Sequence, residues 1–177
     1  MIRIICIGKL KEKYLVNMIE DYLKRINKYH KIELIELKDD NKKEEGERIK
    51  TKLNNRSLKV ALTLDGQKFN SPSFSNFIDK SLATYGNIDF IIGGSDGIDE
   101  SILDMVDNKI SFSDLTFPHG LFRGILLEQI YRAFKIINNE TYHKWGKNGK
   151  FNIRCWNSVC KKWKSINKYV PKKFKKR

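Results

Sequence analysis

Short apolar runs alternate with amphipathic helical segments along most of this chain, and this alternation constrains the fold more than any other sequence feature. Runs rich in β-branched residues predict five strands, at residues 2–7, 32–37, 58–64, 88–92 and 109–112. The run at residues 32–37 alternates as IELIEL, which is typical of a strand near a sheet edge. Strands that alternate with helices form a mostly parallel sheet with helices on both faces, so we predict an α/β fold.

The segments between and after these strands predict helices, because their apolar residues recur at helical spacing or their charged residues suit a solvated helix. They lie at residues 10–26, 38–54 and 71–84, from about residue 99 onward, and at residues 119–139. Ser71 and Pro72 are expected to supply the N-cap and first-turn proline of the third helix.

The composition of the 177 residues is that of a globular protein, with 40% hydrophobic residues and no run of 18 or more apolar ones. The amino terminus lacks the pattern of a signal peptide, so we expect a soluble cytoplasmic protein with no membrane contact. Three cysteines give no disulfide framework, and the pair Cys155 and Cys160 lacks the further ligands of a zinc site. No metal is predicted.

Positive charge is concentrated at the carboxyl end. Residues 145–177 hold twelve of the 35 Lys and Arg residues and no Asp or Glu, and residues 1–144 carry only +2 of the formal charge of +14. All three tryptophans also lie there. We therefore predict a domain at residues 1–144 and a basic, disordered extension at residues 145–177.

Two loops of unusual chemistry follow predicted strands, where ligands bind in open α/β sheets. GGSDG, at residues 93–97, lacks the spacing of a dinucleotide fingerprint, and taken alone it is more typical of a tight turn than of a site. SFSDLTFPHG, at residues 111–120, combines small hydroxyl side chains, a proline and a histidine. Such a loop suits a flat heterocycle, with Leu115 and Phe117 as walls.

Three side chains near the last predicted helix each have two interpretations. His119 could cap the helix start, or face the crevice and accept or relay a proton. Glu128 and Arg132 are four residues apart, which favours a simple ion pair. The same spacing would also present a carboxylate and a guanidinium together to an anionic substrate.

In combination, the segments IGKLKEKY, LTLDG, FIIGGSDG, SFSDLTFPHGLFR, LLEQIYRAFKI and TYHK resemble the RlmH family of SPOUT methyltransferases. The resemblance runs in one collinear order over residues 1–144. It implies methylation of a pseudouridine in 23S ribosomal RNA of the large subunit, on the assembled ribosome, with S-adenosylmethionine as cofactor and no metal. It also implies a carboxyl-terminal trefoil knot, a rare exception among folds, and a homodimer with the site between subunits.

The resemblance also assigns residues. The cofactor would lie against Leu64, Gly94, Ser113, Asp114, Leu115, Thr116, Phe117 and Pro118. The family's functional positions match His119, Arg123, Glu128, Arg132, Tyr142 and His143, of which Tyr142 and His143 are expected to act in the partner's site.

The implied chemistry is attack of the pseudouridine N3 nitrogen on a sulfonium methyl group. N3 must lose a proton, so a base is expected, and His119, Glu128 and His143 are the candidates. Arg123 or Arg132 would hold the RNA phosphates or stabilise charge on the base carbonyls.

The sequence departs from the family pattern in two places. The connection at residues 38–47 is short, and most members end soon after the TYHK segment. The extension is either an RNA-binding arm, a solvated segment without a role, or translation past an ancestral stop.

A non-catalytic ribosomal RNA-binding protein is the main alternative function. Generic nucleotide binding lacks a phosphate-loop fingerprint.

Overall fold

A computed structural model describes residues 1–142, and residues 143–177, with the predictions made for them, lie outside the described part. Strands and helices alternate through residues 1–142 as the sequence predicts. In chain order they are β1 (Ile2–Ile7), α1 (Lys13–Ile26), β2 (Ile32–Leu37), α2 (Lys42–Lys52), β3 (Leu58–Lys68), α3 (Ser71–Tyr85), β4 (Ile88–Ile92), α4 (Glu100–Leu103), β5 (Asn108–Ser111) and α5 (His119–Ile137).

The strands form one sheet in the order β2-β1-β4-β3-β5, and every neighbouring pair is parallel. The sheet is therefore wholly parallel, where the sequence predicted a mostly parallel one. β2 lies at an edge, as its alternating sequence indicates, and all five residues of the central β4 are buried. Because the strands are parallel, the loops that follow them emerge at one edge of the sheet.

Helices cover both faces of the sheet, since successive strand residues point to opposite sides. Ile4 and Phe90 belong to a core shared with α1, α3 and α5. Ile5 and Ile91 belong to a smaller core shared with α2 and α4. The long helix α5 packs between α1 and α3, so its first turn reaches the edge where the strands end.

The predicted end of β3 at Leu64 is wrong, because the strand resumes after a bulge and continues to Lys68. Leu62 pairs with Ile110 of β5, and Gln67 pairs with the same residue, so residues 63–66 bulge out of the ladder. Gly66 permits this, since a Cβ there would lie 2.5 Å from the Ile110 backbone. The Asp65-Gly66 pair marks this bulge and not the end of a strand.

Several predicted helix ends also require correction. The N-cap of α3 is Asn70, whose side chain accepts from the Ser73 backbone N–H while the Ser73 hydroxyl accepts from the Asn70 N–H. Ser71 is therefore the first helical residue, and Pro72 keeps its predicted place in the first turn. Helix α1 begins at Lys13 instead of residue 10, α2 is shorter than 38–54, and α5 ends at Ile137.

Among residues 1–142, no helix combines the length and apolar character needed to cross a membrane. The same residues contain no group of three or more His, Cys, Asp or Glu side chains placed to hold a metal ion.

A buried ion pair joins β1 to β4. The fully buried carboxylate of Asp89 accepts from Arg3 Nε at 2.8 Å, from Arg3 Nη2 at 2.5 Å and from the Asn54 backbone N–H at 3.1 Å. Replacing Asp89→Asn leaves the Arg3 charge without its counterion, so we expect the free energy of unfolding in urea to fall by about 3 kcal/mol.

The matched control is Asp21→Asn, which breaks the exposed Arg25–Asp21 pair one helical turn apart. Its expected cost is below about 0.5 kcal/mol, because solvent screens exposed pairs. Equal costs for the two variants would contradict a stabilising role of the buried pair.

Candidate cofactor pocket and catalytic cluster

A cavity of about 440 Å³ opens at the edge of the sheet where the strands end. Its walls come from the bulge in β3, from the loops after β4 and β5 and from the first turn of α5. The lining residues are Leu62, Thr63, Leu64, Ile92, Gly93, Gly94, Ser95, Gly97, Ile98, Leu103, Phe112, Ser113, Leu115, Thr116, Phe117, His119 and Phe122.

The bulge in β3 supplies the first wall. Because residues 63–66 leave the ladder, the Leu64 side chain is released from sheet packing and is 55% exposed. An exposed leucine at a cavity rim is costly in water and favourable beneath an apolar ligand.

The GGSDG loop supplies the second wall and is also a tight turn, so both interpretations of its sequence apply. The Gly97 N–H donates to the Gly94 carbonyl at 3.2 Å, and Gly97 has a φ of +81°. A Cβ on Gly93 would lie 2.6 Å from the Gly97 backbone. A Cβ on Gly94 would lie 2.7 Å from the Glu45 carboxylate of α2. The lack of side chains at Gly93 and Gly94 therefore lets the backbone itself form the wall.

The loop at residues 113–118 supplies the third wall and is held by its own contacts. The Leu115 N–H donates to the Ser113 hydroxyl at 3.0 Å, and the Phe117 ring stacks on Phe122 of α5 with centroids 6.0 Å apart. Leu115 itself is 71% exposed. The loop thus presents a second exposed leucine to the cavity, and the stacking of Phe117 on Phe122 holds the carboxyl-terminal end of the loop.

Two predicted members of the cofactor set do not line the cavity. Asp114 is exposed and forms an ion pair with Lys68 at 2.5 Å. Pro118 is the N-cap residue of α5, and its carbonyl accepts from the Phe122 N–H at 2.9 Å. These contacts hold the loop in its conformation, and neither residue is part of the surface that faces the cavity.

His119 is the first residue of α5 and lines the cavity. The helix start has no side-chain capping hydrogen bond, so the imidazole does not cap it. Of the two interpretations from sequence, the structure favours the one in which His119 faces the crevice.

Glu128, Arg132 and Tyr142 form a separate cluster farther along α5. The ion pair expected from the spacing of Glu128 and Arg132 is present, and both side chains are largely buried. The Tyr142 hydroxyl donates to Glu128 Oε1 at 3.3 Å, and its ring lies 5.0 Å from the Arg132 guanidinium carbon. Burial, together with the negative charge of Glu128, raises the pKa of Tyr142, so this phenol remains a hydrogen-bond donor at physiological pH.

Arg123 belongs neither to the cavity wall nor to the cluster of Glu128, Arg132 and Tyr142. It is only 2% exposed and points into the protein. Its guanidinium donates to Glu36 Oε1 of β2 at 2.7 Å, to the Gly8 carbonyl at 3.0 Å and to the Ile7 carbonyl. These contacts fasten the first turns of α5 to the ends of β1 and β2.

The cavity thus brings together six of the eight predicted cofactor residues and His119, while Glu128, Arg132 and Tyr142 meet elsewhere. His143 lies outside the described residues. Sequence reasoning missed Phe112, Phe122 and Gly93 as lining residues. The position of Phe122 three residues after His119 places both on one helix face, and that signal could have identified it.

The family described as "Predicted SPOUT methyltransferase" matches residues 1–143. The chain is also 45% identical, over 158 residues, to the "Ribosomal RNA large subunit methyltransferase H" of Clostridium acetobutylicum, covering 81% of this chain and 99% of that protein. The chain belongs to the RlmH family of SPOUT methyltransferases. The predicted resemblance is thereby confirmed, and with it the use of S-adenosylmethionine.

Other RlmH-family proteins are similarly close. The protein of the same name from Listeria welshimeri is 45% identical over 158 residues, and that of Bacillus pumilus is 44% identical over 158 residues; each match covers 81% of this chain and 99% of the relative. Among solved structures, a probable methylase family protein from Haemophilus influenzae Rd KW20 aligns with a TM-score of 0.50 at 10% identity, covering 93% of this chain and 88% of that one. This likeness shows a shared fold.

The close approach at Gly94 gives a test of the cavity as the cofactor site. In the Gly94→Ala variant, the new methyl group meets the Glu45 carboxylate and displaces the loop into the cavity. We expect affinity for S-adenosylmethionine, measured by calorimetry, to fall about tenfold.

Glu45→Ala in the same chain removes the group that the methyl would strike, so the double variant should recover most of the affinity. Glu45→Ala alone is the matched control. If Gly94→Ala binds the cofactor as tightly as the unmodified chain, the cavity is not its site.

Proposed function

We propose that this RlmH-family protein transfers a methyl group from S-adenosylmethionine to N3 of a pseudouridine in 23S ribosomal RNA, on the assembled large subunit. The observation that carries the proposal is the cavity of three strand-end loops, in a chain 45% identical to a ribosomal RNA large subunit methyltransferase. A ribosomal substrate places the reaction in the cytoplasm.

The cofactor would be held by the cavity walls, with Leu64 and Leu115 against its apolar surface and the backbone around Gly94 and Thr116 within hydrogen-bonding reach. Two features support this assignment. The cavity volume lies in the range of small-molecule sites, and the two exposed leucines in its lining offer apolar surface to a flat ligand. When bound, S-adenosylmethionine supplies an electrophilic methyl group.

The protein must then remove the N3 proton and hold the base in line. His119 lies in the cavity wall and is placed to accept a proton at the cofactor side. Glu128 already accepts from Arg132, Tyr142 and Gln129, and these three contacts orient its carboxylate. Arg132 and the protonated Tyr142 are suited to stabilise negative charge on the base carbonyls.

The two groups of residues lie apart within one chain. Glu128 follows His119 by nine residues on α5, which corresponds to about 13 Å along the helix axis. A second copy that brings its own Glu128–Arg132–Tyr142 cluster to the cavity would close this separation. This separation supports a homodimer with a composite site, to which the partner would contribute its cluster and its His143.

Arg123 takes a different role in this proposal from the substrate contact suggested by the family resemblance. Its buried hydrogen bonds to Glu36, Ile7 and Gly8 support a positioning role, in which it holds the first turn of α5 and with it His119.

The finer features of the fold are also proposals. We place a trefoil knot at the carboxyl-terminal part of the domain, on the family's pattern and the fold shared with the Haemophilus influenzae protein. We place the domain end near Lys144, which agrees with a family match ending at residue 143. For the basic extension at 145–177, an RNA-binding arm stays one of the three predicted interpretations.

The direct test is methylation of ribosomes from a strain lacking this activity. Incubation with the full chain and S-adenosylmethionine should give methylated pseudouridine in 23S ribosomal RNA, detected by mass spectrometry of nucleosides. The matched control omits the cofactor. Unmodified ribosomes, with normal binding of RNA and no binding of cofactor, would favour the non-catalytic RNA-binding alternative.

The composite site can be tested with two defective chains. Leu115→Asp places a charge on the cofactor wall, and Arg132→Ala opens the catalytic cluster, so each homodimer should be inactive. A heterodimer purified by different tags on the two chains keeps one intact site if the site is shared, and should show about half the activity of the unmodified dimer. A site contained in one chain predicts an inactive heterodimer.

A further inference from the structure

The loop between β1 and α1, together with the first two residues of α1, exposes a cluster of lysines beside a tyrosine at the same edge of the sheet as the cavity; residues 8–14 are called the lysine loop. We infer that this loop is an RNA-binding surface, in which Lys9, Lys11 and Lys13 contact phosphates and Tyr14 stacks on an unpaired base. The inference rests on the proposed function and adds to it a named contact with the RNA substrate.

The charge of this loop is available to a partner. Lys9, Lys11 and Lys13 are exposed, and within residues 1–142 none of their ammonium groups forms an ion pair or hydrogen bond. Tyr14 is 64% exposed, so its ring is accessible to a partner. Glu12 is the only acidic residue among positions 8–14, so the loop carries a net positive charge.

The loop backbone is fixed although its lysines are free. Gly8 adopts a φ of +86°, and its N–H donates to the Leu37 carbonyl at 2.8 Å. The Leu10 N–H donates to Glu36 Oε1 at 3.1 Å, and the Leu10 side chain packs on the larger core. Ordering the loop therefore costs little on binding, which favours affinity for a ligand that its side chains fit.

The loop also borders the cavity. A Cβ on Gly120 would lie 2.9 Å from Leu10 Cδ2, and Gly120 directly follows the cavity residue His119. An acidic group lies on the side of the loop that faces β2. The carboxylate of Asp39, just after β2, is next to Gly8. β2 and β4 flank β1 on opposite sides, so this acidic charge lies toward the edge strand β2 of the sheet.

RNA is the partner that fits these features. Several unpaired lysine ammonium groups on an exposed loop are complementary to an RNA phosphate backbone, because each contact releases condensed counterions. An exposed tyrosine beside them matches an unpaired base, since base–aromatic stacking is the usual mode of single-strand recognition.

The test compares two charge-matched triple variants of the full chain. Lys9→Gln with Lys11→Gln and Lys13→Gln removes the proposed contacts. Lys28→Gln with Lys31→Gln and Lys52→Gln removes three exposed lysines from the opposite edge of the sheet and is the control. Binding to large ribosomal subunits is measured at several salt concentrations, beside calorimetric titration with S-adenosylmethionine.

We expect the loop variant to bind subunits about tenfold more weakly near physiological salt, and its salt slope to fall by about 2 units, with cofactor affinity unchanged. Tyr14→Leu should weaken binding about fivefold without altering the salt slope, because stacking carries no counterion release. The control triple should retain the slope of the unmodified chain.

Equal binding by the loop and control triples would overturn the inference, as would a loss of cofactor affinity in the loop triple. Failure of the proposed function gives a different result. In that case the unmodified chain binds subunits and leaves them unmethylated, while the binding comparison still decides whether the loop contacts RNA.

Discussion

The parallel sheet is the constraint on which the rest of the structure depends. A parallel sheet must be covered on both faces, which requires the uniformly buried β4 at its centre and helices on each side. It also brings the bulge in β3 and the loops after β4 and β5 to one edge, where their backbone groups are not used by the sheet. The cavity forms there because glycines at positions 66 and 93 let neighbouring backbones approach more closely than side chains would permit.

A buried guanidinium connects this sheet to α5, the helix that carries the proposed catalytic residues. Arg123 binds Glu36 and the carbonyls at the end of β1, so the first turn of α5 cannot slide relative to the sheet. His119 in the cavity wall and the aromatic pair of Phe117 and Phe122 take their places from this anchor. The same Glu36 holds Leu10, and the cavity wall and the lysine loop therefore share one set of buried contacts.

The sequence predicts the strand and helix alternation well, because β-branched runs and helical spacing are local signals. The return of β3 after its bulge was missed, since it depends on pairing with β5 more than forty residues later in the chain. Asn70 lies three residues before Ser73, which is the spacing of a capping box, but the neighbouring Ser71-Pro72 pair is an equally strong local signal for the helix start. The burial of Arg123 depends on Glu36, 87 residues earlier, and no local pattern reports such a contact. Helical spacing likewise shows that Glu128 and Arg132 share a face, without showing that this face is far from the cavity.

We propose that the bulge in β3 and the loops after β4 and β5 together form the cofactor site. Hydrogen–deuterium exchange of the full chain, with and without S-adenosylmethionine, tests it most directly, because a bound ligand slows exchange of the backbone amides it covers. We expect S-adenosylmethionine to protect the backbone amides of residues 62–66, 93–97 and 112–119 together from exchange, with little change in α3. Protection of only one of these loops, or protection centred on the Glu128 cluster of the free chain, would contradict it.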